Sequence, residues 1–367
     1  MRTVSKTVIG VDFGTQSARA VLVNAENGEI IYSCRKEYPY NSTPVPAIDC
    51  AENLPCATDY EMTLYELLRN VIPEEYRKTV AGICVDATSL TMVLLAEDGR
   101  ALSELDGWSE AAHARVKLWK YHRAQEKADE ALNLARNLQE PFLGRTGGSI
   151  SCEWMLPKLL EVRDEAPEIY SKIDLAMDLC EFLTFRLTGQ LVRSIGSLSY
   201  KCLWAEDLSF PERTFLNGLR AGFYEEYCHF LRGDVRKPGE CAGMLRSELT
   251  KRWGLPEQIP VATGMLDGHT SLATMGAFEP GDAALIVGTS NVCTVQDRKL
   301  QELKDVCGVA QDGMVTGSCG IDTGQSSTGN MLGWFVEHMA GWQIHREAEE
   351  RKISPHQVLA ERIQKPW

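Results

Sequence analysis

The chain has 367 residues, 44% hydrophobic and 24% charged, which is typical of a globular protein. Since a single hydrophobic core stops growing at about 250–300 residues, this length predicts two domains. The net charge of -13 argues against a nucleic-acid partner, because affinity for the phosphate backbone depends on clustered Lys and Arg. The sequence has neither an apolar run near the roughly 20 residues of a membrane span nor a signal-peptide pattern, so we expect a cytoplasmic protein without a membrane partner.

The twelve cysteines are scattered, without a C-x-x-C pair. Their neighbours are mostly apolar, which favours reduced, buried thiols over a disulfide or metal framework.

The first predicted elements are three antiparallel strands. The sequence VIGVDFGTQSARA (8–20) reads as strand, glycine turn and strand, and Asn27-Gly28 marks a tight turn to a third strand. Residues 80–102 form a weaker copy of this pattern, and residues 283–295 form a partial echo. Such units separated by helices predict duplicated α/β halves, each with a mixed sheet.

The intervening segments have apolar residues at helical spacing. Helices are predicted over residues 60–72, 109–136, 152–165 and 167–187, and the last of these ends at Gly189 as a C-cap. A change of pattern near Pro256 divides the chain into domains of residues 1–257 and 258–367, and the chain ends on a polar helical stretch.

The turn between the first two strands contains candidate phosphate ligands. Gly14 allows a tight backbone turn, and the residues after it supply amide and hydroxyl donors. Asp12 ends the first strand and suits Mg²⁺ held through waters. An ordinary hairpin turn explains D-x-G-T alone equally well.

Two later motifs favour the phosphate interpretation. The sequence VGTSNV (287–292) places a second hydroxyl-rich turn between strands, so two turns could hold a phosphate chain from both sides. Asp267 in GMLDGH is a candidate base for an attacking hydroxyl, although an Asp-Gly turn is the simpler explanation of that motif alone. The adjacent His269 reads as a structural histidine.

Taken together, the ordered blocks resemble the FGGY family of carbohydrate kinases, and within it the ribulokinases. The similarity extends along the whole chain, in VIGVDFGTQSARA, GICVDATSLT, KLWKYHRA, GGSISCEWMLPKLLEV, LTGQLVRSIGSLSYKCLW, GMLDGH, VGTSNV and GIDTGQSSTGNMLGWF. It implies an actin-like (ribonuclease H-like) ATPase fold with two α/β domains, an N-terminal sugar-binding domain and a partial C-terminal nucleotide-binding domain. It also implies transfer of the ATP γ-phosphate to a primary hydroxyl of a ketopentose or related polyol, with Mg²⁺ as cofactor.

The resemblance also assigns roles to single residues. Asp267 matches the catalytic base, and Asp12 the metal site. The sugar contacts match Ser89, Lys201, Asp267 and Asp322. The two phosphate loops match Asp12, Gly14, Thr15, Gln16 and Ser17, and Gly288, Thr289 and Ser290. The partner implied is a small-molecule sugar, and a homodimer stays open.

Several departures from the family pattern bear on these roles. Ser89 stands where ribulokinases usually carry Gly or Ala, and Asp322 where they carry Glu. In the segment Trp119 to His122 a carboxylate is lost. Family members continue past the equivalent of Trp367 into a glycine-rich adenosine segment, so we expect a C-terminally truncated kinase with weak or absent ATP binding.

Two other classes of protein compete with a kinase. A non-catalytic sugar-binding or regulatory protein could retain the first domain without ATP turnover. An actin-like chaperone or filament ATPase would share the phosphate turns. The blocks SISCEWMLPKLLEV and SYKCLW argue against the chaperone or filament, since such proteins have no need of them.

Overall fold

A computed structural model of the chain describes residues 5–39, 54–207, 209–287, 291–325 and 327–363. The strands over these residues are β1 (Thr7–Phe13), β2 (Ser17–Asn24), β3 (Ile30–Glu37), β4 (Val80–Ala87), β5 (Met92–Leu95), β6 (Leu175–Asp178), β7 (Val192–Ser194), β8 (Asp234–Arg236), β9 (Cys241–Met244), β10 (Pro260–Ala262), β11 (Met265–Leu266), β12 (Ala283–Val287), β13 (Asn291–Asp297), β14 (Gly308–Gln311) and β15 (Cys319–Gln325). The helices are α1 (Ala57–Asn70), α2 (Gln125–Leu138), α3 (Met155–Glu165), α4 (Pro167–Tyr170), α5 (Leu179–Thr188), α6 (Ile195–Lys201), α7 (Arg213–Leu219), α8 (Phe223–Phe230), α9 (Ser247–Trp253), α10 (Asp267–Met275), α11 (Thr328–Met339), α12 (Trp342–Arg351) and α13 (Pro355–Ile363).

The first sheet is mixed, with strand order β3-β2-β1-β4-β10-β9 and β11 beside β4. β1, β2 and β3 pair antiparallel, which confirms the three strands predicted for the N-terminus. β4 pairs parallel to β1, and both β10 and β11 pair parallel to β4. Two strands beyond residue 257 therefore belong to the first sheet, and the division into domains at that residue stays a prediction.

The predicted copy of the N-terminal pattern at residues 80–102 is wrong in its pairing. β4 and β5 both form, but β5 leaves β4 and pairs antiparallel with β6. Leu90, between them, has the left-handed φ of 60° and turns the chain away from the first sheet. The strand expected near Ala101 is reduced to a single bridge with Leu95.

The second sheet is antiparallel, with order β12-β13-β15-β14. The pairing of β12 with β13 confirms the strands predicted over 283–295. Two small pairs, β5 with β6 and β7 with β8, complete the strands of the described residues.

The helix predictions are correct at some positions and wrong at others. α1 and α3 lie within two or three residues of the predicted bounds. The helix predicted over 109–136 is wrong in its first half, because α2 begins only at Gln125. The helix predicted over 167–187 is interrupted by β6, although Gly189 caps α5 with a φ of 72° as expected.

Two large apolar clusters support the site. One packs α1 and α5 against the first sheet, through side chains such as Phe13, Leu64 and Phe182. The other joins α2, α3, α7 and α8 around Leu156 and Phe215. Of the cysteines within the described residues, Cys152, Cys180, Cys202 and Cys319 are buried as predicted, whereas Cys241 is exposed and the others are half-buried. Among the helices of the described ranges, none has the length and apolar character to cross a bilayer.

Candidate active site

A cavity of about 340 Å³ lies where the ends of the first-sheet strands approach the second sheet. Its walls come from widely separated parts of the chain. The lining includes Thr15, Ser89, Trp119, Glu153, Lys201, Asp267, His269, Asn291, Cys307 and Asp322. The structure therefore brings together all four residues predicted to contact the sugar, namely Ser89, Lys201, Asp267 and Asp322.

Three carboxylates lie at the edge of the first sheet that faces this cavity. Asp12 and Asp86 are direct partners in the parallel pairing of β1 and β4. Asp267 follows β11, which also runs parallel to β4. Because the carboxyl ends of parallel neighbours meet at one edge, the fold itself gathers the three side chains.

Asp86 was missed by the sequence analysis. Burial, together with the charges of Asp12 and Asp267, raises the pKa of its carboxyl above the ordinary value. Its Oδ1 atom is buried and has no hydrogen-bond partner in the described part of the chain. The signal was present in the sequence, since Val-Asp ends β1 in VIGVDFG and β4 in GICVDAT.

Asp267 begins α10 and points its carboxylate toward the cavity. The backbone N–H of Gly268 donates to its Oδ1 atom at 2.7 Å. Burial raises the pKa of Asp267 to about 6, against the opposing effect of hydrogen bonds from the Gly268 and Ser89 N–H groups. The carboxylate is thus mainly ionised at neutral pH and can accept a proton.

A buried ion pair forms the opposite wall. Lys201 Nζ lies 3.2 Å from Asp322 Oδ2, and both side chains are 9% exposed. Burial alone would raise the pKa of Asp322, but the Lys201 ammonium and His269 hold that pKa well below its usual range. Burial alone would lower the pKa of Lys201, but the negative charge of Asp322 outweighs burial and holds that pKa above its ordinary value. Both groups are therefore charged and face the ligand space.

His269, interpreted from the sequence as a structural histidine, lines the cavity beside Asp322. Its Nε2 atom lies 3.5 Å from Asp322 Oδ2, and its ring packs edge-on against Tyr200 with centroids 4.7 Å apart. Its buried Nδ1 atom has no hydrogen-bond partner among the described residues. The same holds for the buried Ser89 hydroxyl, so two polar groups at the cavity are left for a ligand.

The first phosphate turn is tightly tied. The Gly14 N–H donates to the Ser17 carbonyl at 3.1 Å, and Tyr38 Oη donates to the Gly14 carbonyl at 2.7 Å. Trp119 Nε1 donates to Thr15 Oγ1 at 3.0 Å, which fixes Thr15 at the cavity. Gln16 lies in the same turn. The second predicted turn, Gly288, Thr289 and Ser290, lies outside the described residues, between β12 and β13.

The acidic strand edge is compatible with a magnesium ion. The unpartnered Oδ1 of Asp86 beside Asp12 offers hard oxygen ligands. Within the described ranges no group of three or more His, Cys, Asp or Glu side chains could enclose a metal. Mg²⁺ usually retains several waters and binds one or two carboxylates plus substrate phosphates, so this arrangement suits it.

Comparison with known proteins shows the family to which this fold and cavity belong. Residues 7–274 match the N-terminal domain of the FGGY family of carbohydrate kinases, so the chain belongs to that family.

Individual relatives are similar over nearly the whole chain. A ribulokinase of Halalkalibacterium halodurans is 32% identical over 366 residues, covering 98% of this chain and 65% of the relative. A ribulokinase of Mycolicibacterium smegmatis is 35% identical over 370 residues, covering 97% and 65%. The chain therefore spans about 65% of the length of these curated relatives.

Solved structures establish the fold as that of the actin-like sugar kinases. A ligand-bound xylulose kinase from Lactobacillus acidophilus superposes with a TM-score of 0.74 at 18% identity, covering 98% of this chain and 66% of the other. A glycerol kinase from Plasmodium falciparum with ADP gives 0.71 at 14% identity, covering 91% and 63%.

Proposed function

We propose that the cavity binds a ketopentose or related polyol and that a primary hydroxyl of this sugar receives the γ-phosphate of ATP. The observation that carries this proposal is the position of Asp267. Its carboxylate faces the cavity between the Lys201–Asp322 pair on one side and the acidic strand edge on the other. The family and the names of the relatives support the same reaction.

Each group has a definite task in the proposed reaction. Asp322 accepts hydrogen bonds from sugar hydroxyls, and Lys201 and the Ser89 hydroxyl donate to sugar oxygens. Asp267 takes the proton of the attacking sugar hydroxyl while the hydroxyl oxygen forms a bond to the γ-phosphorus. The bond from that phosphorus to the bridging oxygen then breaks, and ADP leaves with the electron pair.

The phosphate side rests on the residues predicted for it. Thr15 and its neighbours Gly14, Gln16 and Ser17 would hold phosphate oxygens, as would Gly288 to Ser290. Asp12, with Asp86 beside it, would hold Mg²⁺, which when bound neutralises charge on the phosphates.

Two measurements on the chain test the proposal. Isothermal titration calorimetry with ribulose, xylulose, ribitol and arabinitol tests the sugar site, and a coupled ADP-release assay over the same compounds tests phosphoryl transfer. Binding together with sugar-dependent ADP release supports the proposal. Sugar binding without ADP release, in a chain that calorimetry shows to bind ATP, favours the non-catalytic sugar-binding alternative. No binding of any pentulose or pentitol rules out the site.

The base is tested by Asp267→Asn. Asparagine keeps the shape of the side chain but cannot accept the hydroxyl proton, so we expect turnover to fall by roughly 10²–10⁴. Sugar affinity should change little, because the proton is transferred only in the transition state. Unchanged turnover in this variant would exclude Asp267 as the base.

A further inference from the structure

The turn that carries Ser89 is held in an unfavourable conformation. Leu90 has a φ of 60°, and a left-handed conformation costs a non-glycine residue about 1–2 kcal/mol. Both backbone polar groups of Leu90 are bonded to buried ionisable side chains. Its N–H donates to Asp178 Oδ2 at 3.1 Å, and its carbonyl accepts from Lys158 Nζ at 2.7 Å.

Lys158 lies on α3 and is completely buried. Its ammonium has three protons, and three carbonyls accept from it: those of Leu90, of Leu118 at 2.9 Å and of Lys117 at 3.4 Å. The latter two residues lead directly into Trp119, which lines the cavity and donates to Thr15. One side chain therefore ties the Ser89 turn to the wall that positions the first phosphate turn.

Asp178 is also completely buried, at the end of β6 and the N-cap of α5. The Leu179 N–H donates to its Oδ1 atom at 2.8 Å, and the Ser197 hydroxyl donates to its Oδ2 atom at 2.9 Å. Ser197 lies on α6, the helix that ends at Lys201. Asp178 thus links the Ser89 turn to the helix that carries the lysine of the opposite wall.

We propose that Lys158 and Asp178 are positioning residues that hold the turn at Leu90 so that Ser89 faces the sugar and orients Asp267. This inference rests on the function proposed above. The Ser89 N–H faces the Asp267 carboxylate closely enough to lower its pKa, and the Ser89 hydroxyl is buried at the cavity without a partner within the described ranges. A shift of this turn therefore alters a sugar contact and the candidate base together.

Packing alone does not explain the two charged groups. Burial shifts the pKa of each group toward its neutral form, to about 7 for both Lys158 and Asp178, which reflects the cost of a charge in this place. Apolar side chains of similar volume are often more stable in such places. Apolar side chains could form neither of the two hydrogen bonds that Asp178 and Lys158 make with the N–H and the carbonyl of Leu90. Burial of these two side chains lowers the stability of the fold, and their hydrogen bonds hold the turn beside the cavity.

The test compares Asp178→Asn and Ser197→Ala with the control Asp59→Asn. Asp59 is likewise a buried carboxylate at a helix start, where it accepts from the Cys56 N–H at 3.1 Å, but it does not line the cavity. We expect the ribulose Kd measured by calorimetry to rise about tenfold in Asp178→Asn and severalfold in Ser197→Ala. The control should lose thermal stability without a change in Kd.

A second readout does not depend on sugar binding. Hydrogen exchange of a peptide covering residues 88–91 should accelerate in Asp178→Asn and Ser197→Ala, and in Lys158→Met if that variant folds, but not in Asp59→Asn. Unchanged exchange of this segment in folded Asp178→Asn, or a Kd that rises equally in the control, would overturn the inference. If the wild-type chain binds none of the sugars, the proposed function fails, and the exchange measurement still decides whether the two residues hold the turn.

Discussion

Asp322 shows how a single buried charge can serve recognition. The carboxylate is enclosed by Lys201 and His269, and its depressed pKa keeps it ionised at neutral pH. An ionised carboxylate only accepts hydrogen bonds, which suits the hydroxyl groups of a polyol. Asp is one methylene shorter than Glu, so it leaves more room beside Lys201 than Glu would.

We predict that Asp322→Asn weakens sugar binding. Hydrogen bonds to charged groups contribute roughly 1.5–3 kcal/mol, so the ribulose Kd should rise about 10–100-fold. Asp312→Asn is a matched control, because Asp312 is a buried carboxylate paired with Lys237 at 2.7 Å outside the cavity. A normal Kd in Asp322→Asn, measured by calorimetry, would remove Asp322 from the sugar site.

His113 gives the chain a pH-dependent stability. Lys117 Nζ donates to its Nδ1 atom at 3.2 Å, and its Nε2 atom lies 3.2 Å from Glu165, which together fit the neutral ring. Burial, followed by the charges of Lys117 and Arg123, lowers the pKa of His113 to about 3. The unfolded chain, with an ordinary His pKa near 6.5, binds the extra proton first as the pH falls.

The sign of the effect follows from that difference. Stability from the neutral His113 is complete above about pH 6.5 and declines as the pH falls toward 3, by up to roughly 1.4 kcal/mol per pH unit. Urea unfolding of wild type and His113→Gln between pH 7.5 and 5 should show a smaller loss in the variant. His356→Gln, at an exposed position, is the control, and equal slopes in all three proteins would contradict the prediction.

Among the elements, α6 packs against the second sheet through one aromatic side chain. Tyr200 is buried against three glycines of the second sheet region, Gly308, Gly313 and Gly320, and its Oη donates to the Gly320 carbonyl at 2.7 Å. A Cβ at Gly308 would lie 2.6 Å from the Tyr200 ring. The fit of this ring therefore fixes where Lys201, the next residue, meets Asp322.

Gly308→Ala should disturb that fit. We expect a loss of about 1–3 kcal/mol in unfolding free energy from overpacking, together with weaker ribulose binding, because Lys201 and Asp322 move apart. Gly333→Ala provides the contrast, since a Cβ there meets nothing within 4 Å and alanine is favoured in α11 by about 0.5–1 kcal/mol. If Gly308→Ala unfolds at the same urea concentration as wild type, the packing argument is wrong.

The elements that sequence patterns predicted are those fixed by local signals. The β1–β2–β3 strands follow from alternation and tight turns, and the Gly189 cap follows from helix geometry. β6 was not predicted, because its partner β5 lies some 80 residues earlier and its three apolar residues look like part of a helix. The left-handed Leu90 was equally hidden, since the contacts that hold it come from distant α3 and β6.

At the scale of the whole molecule, the site is assembled from residues that no spacing rule connects. The acidic edge comes from the parallel register of β1, β4 and β11, and the Lys201–Asp322 pair joins residues 121 positions apart. Resemblance to a family indicated Ser89, Lys201, Asp267 and Asp322 together. It did not indicate Asp86, whose signal was the repeated Val-Asp strand end, nor Lys158 and Asp178, whose contacts are visible only in the folded chain.

The molecule also has an exposed apolar face on α11. Leu332 and Trp334 are each 57% exposed, and Met331, Phe335 and Met339 extend the same surface. A contiguous exposed apolar patch promotes association and binds apolar dyes. We therefore expect the chain to enhance the fluorescence of anilinonaphthalene sulfonate and to self-associate as its concentration rises.

The double variant Leu332→Gln with Phe335→Gln should reduce both effects, because it replaces apolar area at the middle of the face with amide groups. Sedimentation velocity over a concentration series would measure the association, and titration with the dye would measure the exposed apolar surface. Met62→Gln, at an exposed position on α1, removes one apolar side chain elsewhere and should change neither. Ribulose affinity should stay constant in all three proteins, since α11 does not line the cavity. If the double variant associates and binds dye like wild type, another surface is responsible for the self-association.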